Sequence, residues 1–361
     1  MKVLHVIPNL DFGNAAKQLT LLVPALAASG IQCRVAVISG KGPFAQVLES
    51  ANVAMDLLDW KRWIEPQPFV RLRQTIQSFS PEIIHCWRRE SIRIFALLGG
   101  RKYGAHLIGS CIGNPLNGLI GKLEAWLSHR VDKLVFQWPT ELEHWKACFQ
   151  MEKLCRIPPG IDSISTPFSS RNLDAVESVP KEARMILCIG PLEPSKGFKE
   201  AMWAFHIVGF LFPDLHLVLV GEGPDRERLV RWSKTVFPER VIFLGSRLNL
   251  RGVLARAEVV WVPSLEPRGF NVALEAMAAG KPVVASRVAG LSDIIADGQA
   301  GILVPPGDKV SLARQTRLLL EDPIRSRHLG EAGQRRARES FSVESMARAY
   351  RSLYESVLNS R

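Results

Sequence analysis

The chain has 361 residues, 47% of them hydrophobic, and a formal net charge of +11 at pH 7. This length suits about two domains, and the composition is that of a folded protein rather than a disordered one. No apolar run reaches the ~18 residues of a membrane span. The first residues enter a strand directly and lack the pattern of a signal peptide, so we expect none.

The excess of Lys and Arg favours anionic partners, which include nucleic acids, phosphorylated substrates and anionic membrane surfaces. No nucleic-acid-binding module is recognisable, so we expect no nucleic-acid partner. Residues 61–73 and 87–93 mix Trp with Arg and Lys, which is typical of peripheral contact with an anionic membrane but equally of solvated faces. The six cysteines form no CxxC pair, which argues against a zinc site or a disulfide framework and favours a cytoplasmic protein.

Strand and helix patterns alternate in the first half of the chain. The predicted strands are 3–7, 34–39, 83–86, 106–109, 133–136 and 155–157. The predicted helices are 14–29, 43–51, 66–79, 91–98, 119–129 and 140–149. This alternation predicts an α/β domain, residues 1–162, whose parallel sheet is covered by helices on both faces.

A second alternating series follows the Ser- and Pro-rich residues 163–184, which are predicted to be a linker. Its predicted strands are 185–189, 216–220, 241–244, 259–262, 282–285 and 301–304. Its predicted helices are 199–212, 225–235, 250–255, 272–279, 310–320 and 342–358. We therefore predict a second α/β domain at 185–340 and a final helical segment at 341–361 that docks on another element. Two doubly wound domains facing a cleft suit two substrates, or one ligand held between them.

Residues 262–286 have the pattern of strand, polar loop, helix and strand. Asn271 is a favourable N-cap for a helix over 272–279. Glu266 and Glu275 bracket the start of this helix, whose free N–H groups suit an anion. In a parallel sheet the loop lies at the carboxyl ends of the strands, where such sheets bind ligands. An ordinary βαβ unit with a solvated loop is the alternative interpretation.

The order of local motifs resembles the retaining glycosyltransferases of the GT-B fold known as family 4. The segments that carry the resemblance cover nearly the whole chain and are IPPGID at 157–162, GPLEPSKG at 190–197, VGEGP at 220–224, FLG at 243–245, GFNVALEAMA at 269–278 and GILVPPGD at 301–308. The resemblance implies two Rossmann-like domains, the first on the acceptor side and the second binding a nucleotide sugar. It implies transfer of a sugar, with retention, to a saccharide or lipid-linked acceptor, without a metal or other cofactor.

The chemistry of a nucleotide sugar connects residue types to roles. The leaving diphosphate needs cations and N–H dipoles, which Lys196 and the amides of residues 270–272 would supply. The resemblance implies that Glu275 bonds the ribose and Glu266 contacts the sugar. The expected donor-binding residues are Gly190, Lys196, Gly221, Gly223, Arg268, Gly269, Phe270, Asn271, Val272 and Glu275. The expected catalytic residues are Lys196, Glu266 and His85, and the acceptor side is expected to include Gly13, Asn14 and Lys17.

Several positions depart from the family's pattern. Pro191 stands where the family usually has Arg, Ala16 where it has Glu, and Ile112 where it has His. Pro has neither a charge nor an N–H, so one phosphate contact is missing. His85 resembles another frequent family histidine, and a cleft role and a core position are equally compatible with it.

The spacing of the two glutamates also departs, since eight residues separate Glu266 from Glu275 where the family has seven. Either the loop bulges to bring Glu266 back, or Arg268 takes its place and meets phosphate. These departures leave a second hypothesis open: a diverged GT-B protein that binds nucleotide or glycan, or that partners an active transferase. A sugar-nucleotide epimerase of the same fold is a third.

Overall fold

The computed structural model describes residues 1–60, 66–98, 103–110, 130–146, 150–162, 179–267 and 269–360. The chain forms two compact units. One unit contains Met1–Gly160 together with Ser342–Arg361, and the other contains Ile161–Phe341. The predicted helix at 119–129, most of the linker at 163–184, and the departing position Ile112 lie outside the described residues.

The first unit is built on a seven-stranded parallel sheet with the order β3-β2-β1-β4-β5-β6-β7. The strands are β1 (Lys2–Asn9), β2 (Gln32–Gly40), β3 (Ala54–Leu57), β4 (Ile83–Trp87), β5 (His106–Ser110), β6 (Lys133–Phe136) and β7 (Leu154–Arg156). The helices are α1 (Asn14–Ala28), α2 (Ala45–Ser50), α3 (Pro66–Phe79), α4 (Arg88–Leu98) and α5 (Pro139–Lys146). Every residue of β4 is buried, as expected of a central parallel strand covered on both faces.

The second unit is built on a six-stranded parallel sheet with the order β10-β9-β8-β11-β12-β13. The strands are β8 (Arg184–Ile189), β9 (Leu215–Val220), β10 (Val241–Phe243), β11 (Val259–Val262), β12 (Val283–Ser286) and β13 (Ile302–Val304). The helices are α6 (Phe198–Gly209), α7 (Arg226–Val236), α8 (Arg251–Arg256), α9 (Phe270–Ala278), α10 (Leu291–Ile294), α11 (Lys309–Glu321) and α12 (Pro323–Ser340). In one core, apolar side chains of α6, α7 and α11 pack together with those of the sheet.

The two parallel-sheet units confirm the predicted fold class of two doubly wound α/β domains. The prediction missed β3, α10 and α12. The α12 helix was missed because its buried face consists mainly of small residues, Ser326, Gly330, Gly333 and Ala337. These residues allow close packing on α9 but give no hydrophobic period. A local signal was present, since Asp322 accepts a hydrogen bond from the Arg325 amide (3.0 Å) and Pro323 opens the helix.

The last helix, α13 (Val343–Leu358), packs on the first unit, against α1. Its Tyr354 hydroxyl lies 2.7 Å from Nδ1 of His85, and the other ring nitrogen of His85 lies 2.7 Å from Oγ of Ser110. Ser110 also contacts the Tyr350 hydroxyl at 3.2 Å. This buried network attaches the end of the chain to the middle of the first sheet.

His5 lies beside His85 on the neighbouring strand, with 5.3 Å between the ring centroids. Its Nδ1 accepts a hydrogen bond from the Trp87 indole at 3.3 Å. Burial lowers the pKa of His5 to about 3. Burial is the larger of two effects, and the neighbouring His5 the smaller, that hold the pKa of His85 well below its usual value. Both imidazoles are therefore neutral in the folded chain at neutral pH.

Three loops of the second unit touch through backbone atoms at the carboxyl edge of its sheet. A Cβ added at Gly221, after β9, would overlap the carbonyl oxygen of Gly190, after β8. A Cβ added at Gly197 would overlap the carbonyl oxygen of Pro263, after β11. A hydrogen bond from the Gly190 amide to the Val220 carbonyl (2.9 Å) joins the ends of β8 and β9, and one from the Gly221 amide to the Gly245 carbonyl (2.9 Å) adds the loop after β10.

The buried histidines predict an acid-sensitive first unit. Above pH 6.5 the contribution of the two neutral histidines to the free energy of unfolding is present in full. As the pH falls from about 6.5 towards 4, the unfolded chain binds protons that the folded chain excludes. The free energy of unfolding should therefore fall by about 1.4 kcal/mol per pH unit for each histidine. Urea unfolding between pH 7.5 and 5 measures this slope. His5→Gln should flatten it, whereas His328→Gln on the exposed side of α12 should not; equal slopes in the wild type and His5→Gln would contradict the assignment.

The backbone contacts predict a difference between two glycines of similar backbone conformation. Gly197 (φ 70°) meets Pro263, whereas a Cβ at Gly298 (φ 73°) would meet nothing within 4 Å. Gly298→Ala should lower the free energy of unfolding by about 1–2 kcal/mol, because alanine is strained in the left-handed backbone conformation. Gly197→Ala should cost roughly 2 kcal/mol more, because the loops must separate. Denaturant titration of both variants measures the difference, and equal losses would show that the loop contact contributes nothing to stability.

Candidate functional site

Lys196 lies at the carboxyl edge of the second sheet, in a short 3₁₀ turn, Pro194–Lys196, that follows β8. A Cβ added at Gly190 would lie 3.9 Å from Cδ of Lys196, so the lysine stem runs close to the end of β8. The Leu265 amide donates to the carbonyl of Ser195 at 2.9 Å. This bond ties the Lys196 turn to the loop that carries Glu266.

The helix α9 begins beside the same edge, at the end of β11. Gly269, with φ 94°, is its N-cap, and this residue has no side chain that could cap the helix. A Cβ at Gly269 would lie 2.8 Å from Cγ1 of Val262, so the turn also packs tightly. The prediction of Asn271 as N-cap is wrong, because the positive φ at Gly269 starts the helix earlier. The amides of residues 270–272 therefore occupy the first turn, where backbone N–H groups lack partners within the helix.

The carboxylates of this region have different surroundings. Glu275 is buried, with 9% of its surface exposed, and lies one helical turn after Asn271, which is equally buried. Glu266 is exposed in the bend before α9. Arg268 lies outside the described residues. The structure therefore brings Lys196, the start of α9 and Glu275 to neighbouring strand ends, with Glu266 on an exposed loop beside them.

Gly221 and Gly223 line the adjoining part of the edge, after β9. The amide of Leu192 donates to the carbonyl of Glu222 at 2.9 Å, so this turn and the loop after β8 are directly joined. A Cβ at Gly223 would lie 2.5 Å from the carbonyl oxygen of Leu192. These glycines thus serve first to let two loops of the protein approach each other, a role that the sequence motif alone did not distinguish from ligand contact.

The predicted acceptor-side residues lie together at the carboxyl end of β1. Gly13 is the N-cap of α1, and the Lys17 amide donates to its carbonyl at 3.0 Å. Asn14 begins the helix. The Lys17 ammonium lies 5.8 Å from the centroid of the Phe44 ring, which also contacts Phe12 edge-on at 5.7 Å. The sequence interpretation missed this aromatic pair; the position of Phe12 and Phe44 after two neighbouring strands is the signal that could have found it.

The structure does not support a catalytic role for His85. The side chain has no exposed surface, and both ring nitrogens are engaged by buried hydroxyl groups. Its geometry agrees with the alternative interpretation, a core histidine. Trp87 is also buried, so it is not available for the membrane contact suggested by residues 87–93. Residues 61–65 of the other cluster lie outside the described part of the chain.

Two structural features are absent from the described residues. Within those ranges, no group of three or more His, Cys, Asp or Glu side chains is arranged to hold a metal ion. No helix in the same ranges combines the length and the apolar character needed to span a bilayer.

Two family models match consecutive parts of the chain. "Glycosyltransferase Family 4" matches residues 15–163, and "Glycosyl transferases group 1" matches residues 169–336. The chain is 28% identical over 298 residues to a glycogen synthase of Mycobacterium tuberculosis, an alignment that covers 78% of this chain and 70% of the relative. It is 26% identical to the lipopolysaccharide core biosynthesis glycosyltransferase LpsD of Rhizobium meliloti, with 98% of each chain covered.

A solved structure shares the fold over nearly the full length. Anabaena HepE, determined in complex with UDP and glucose, matches 99% of this chain and 100% of its own, with a TM-score of 0.85 and 19% identity. This similarity supports the GT-B fold, and the two family models follow one another along most of the sequence. The chain therefore belongs to family 4 of the GT-B glycosyltransferases, the glycosyl transferases group 1.

Proposed function

We propose that this glycosyltransferase moves a sugar, with retention of configuration, from a nucleoside-diphosphate sugar to a saccharide or lipid-linked acceptor. The observation that carries the proposal is the arrangement of Lys196, the start of α9 and buried Glu275 at neighbouring strand ends of the second unit. HepE was solved with UDP and glucose, and LpsD is named for lipopolysaccharide core biosynthesis. Both support this substrate class.

In this proposal, the second unit binds the donor. The bond between the sugar and the diphosphate breaks, and negative charge grows on the leaving oxygen. The Lys196 ammonium and the first-turn amides of α9 would meet that charge. Glu275 would accept hydrogen bonds from the ribose, and exposed Glu266 would reach the sugar. The glycines after β8 and β9 would keep side chains away from the bound diphosphate.

The acceptor would bind on the first unit, near Gly13, Asn14 and Lys17. Its hydroxyl would attack the anomeric carbon on the face that the diphosphate leaves, which gives retention. Since His85 is buried with both nitrogens engaged, we propose that the departing phosphate oxygen takes the hydroxyl proton.

The described cysteines form no disulfide, which supports our further proposal that the protein works in the cytoplasm.

A second candidate is a diverged protein that binds a nucleotide or glycan without transferring it. The observation in its favour is Pro191, which lacks an N–H directly after Gly190, in the loop that carries Lys196. The two candidates separate in one experiment. The chain is incubated with UDP-, GDP- and ADP-sugars and scored both for thermal stabilisation and for product. Thermal stabilisation without hydrolysis or transfer would favour the binding protein. The absence of both stabilisation and product would count against the transferase and the binding protein alike.

Two substitutions test the roles of the donor residues. Lys196→Ala should lower kcat about 10²-fold or more, because it removes a charge that meets the leaving group. Glu275→Gln should mainly raise the donor KM, roughly tenfold, because a charged hydrogen-bond acceptor is lost. Steady-state kinetics and circular dichroism provide the measurements. Lys199→Ala and Glu227→Gln, at exposed positions of α6 and α7, are the matched controls and should behave as wild type. Wild-type kinetics in Lys196→Ala would remove it from the mechanism.

We also propose that no metal ion is needed, since the Lys196 ammonium and the amides at the start of α9 would offset the negative charge of the diphosphate. Transfer should then continue at an unchanged rate after dialysis against excess EDTA. The matched sample is dialysed in the same way and assayed with added Mg²⁺ or Mn²⁺. A rate that falls in EDTA and returns with either ion would contradict this part of the proposal.

A further inference from the structure

The α6 helix has an apolar outer face in addition to its apolar inner face. The inner face, which includes Phe198, Met202 and Phe205, fills the core of the second unit. Outside, four large apolar side chains are 39% to 69% exposed: Trp203, Ile207, Phe210 and Leu211. Their spacing of four, three and one residues places them along one side of the helix, since Phe210 keeps helical dihedral angles. Packing against the sheet does not account for this second face.

The neighbouring helix α11 continues the same surface. It packs against α6, and the Lys309 ammonium at its start lies 5.1 Å from the centroid of the Trp203 ring. Four exposed residues follow with the spacing seen on α6, two of them apolar and two basic: Val310, Arg314, Arg317 and Leu318. We name the exposed residues 203–211 and 309–318 of the two helices the α6–α11 surface.

The charges around the apolar stripe have one predominant sign. On the other helix that contacts α6, α7, the Trp232 ring lies 5.0 Å from Trp203. Each of the two helices that pack against α6 exposes three basic side chains and one acidic one: Arg228, Arg231, Lys234 and Glu227 on α7, and Lys309, Arg314, Arg317 and Glu321 on α11. Arg228 and Arg317 form ion pairs with Asp225 and Glu321, and the other four basic side chains leave an excess of positive charge. This excess beside an apolar stripe favours an occupant that is both apolar and anionic.

We propose that the α6–α11 surface docks on the headgroup layer of an anionic phospholipid bilayer. Trp and Phe enter the interface between headgroups and acyl chains, while Lys and Arg beside them attract anionic lipids. A second copy of the chain fits less well, because it would bring two basic surfaces together on a protein of net charge +11. The contact would place the protein at a membrane by a part of the chain other than the Trp-containing clusters indicated by the sequence.

Docking in this way leaves the candidate site accessible. The α6 helix begins next to Lys196 at the carboxyl edge of the sheet, and it runs antiparallel to the strands it connects. The exposed stripe from Trp203 to Leu211 therefore extends towards the opposite edge. The membrane contact does not depend on transferase activity, and it can be measured without a sugar donor.

The test is co-sedimentation of the full chain with vesicles at low salt. Vesicles of equal parts phosphatidylglycerol and phosphatidylcholine should bind the chain, and vesicles of phosphatidylcholine alone should bind it much less. Phe210→Glu should lower partitioning roughly tenfold, because an aromatic side chain no longer leaves water. Arg314→Gln should lower it about fivefold, while Arg314→Lys should restore it. The substituted side chains are exposed, so circular dichroism and thermal midpoints should match the wild type.

Two matched controls carry the same chemical changes elsewhere. Val70→Glu alters an exposed apolar residue of α3 in the first unit, and Arg338→Gln removes a positive charge from α12. Both should partition as wild type. The proposal is overturned if anionic vesicles do not bind the chain, if Phe210→Glu and Arg314→Gln leave binding unchanged, or if Val70→Glu abolishes it. Sedimentation as a dimer that Phe210→Glu dissociates would instead assign the surface to a second copy.

Discussion

The contact between the backbone of Gly221 and the carbonyl oxygen of Gly190 fixes the carboxyl edge of the second sheet. Because residue 221 has no side chain, the loops that follow the paired strands β8 and β9 can lie at backbone contact distance. The similar approach of Gly197 to Pro263 extends this edge to the end of β11, beside the start of α9. Lys196 and Glu275 are held by that edge and do not form it, so replacing either one should leave the scaffold in place.

All the strands except β3, and most helices, could be predicted from the sequence, because parallel strands are short buried apolar runs and the helices between them have a regular period. Details that depend on backbone angles could not. The positive φ of Gly269 moved the start of α9, and residue preferences alone pointed to Asn271. The small residues of α12 also gave no indication of a helix, since residues such as Gly330 and Gly333 pack closely without producing an apolar pattern.

Contacts between residues that are distant in the chain also could not be predicted from the sequence. His85 has the motif of a family histidine at a strand end, but its partner Tyr354 lies 269 residues later. Similarly, Trp87 beside Arg88 and Arg89 suggested an exposed cluster, and the fold turns that Trp into the core. The residues of α6 were predicted to be helical, yet only burial distinguishes the two apolar faces. Local patterns specify the elements, and the sheet order decides which side chains meet.

The return of α13 to the first unit has a consequence for the order of assembly during synthesis. The second unit, Ile161–Phe341, is continuous and leaves the ribosome before the chain ends. The first unit is synthesised earlier but must wait for its last helix, since Tyr350 and Tyr354 complete the hydrogen bonds of Ser110 and His85. The nascent N-terminal sheet therefore lacks these two hydrogen-bond partners until the final residues emerge. A ribosome that stops before α13 releases a chain whose first unit is unfinished while its second unit is complete.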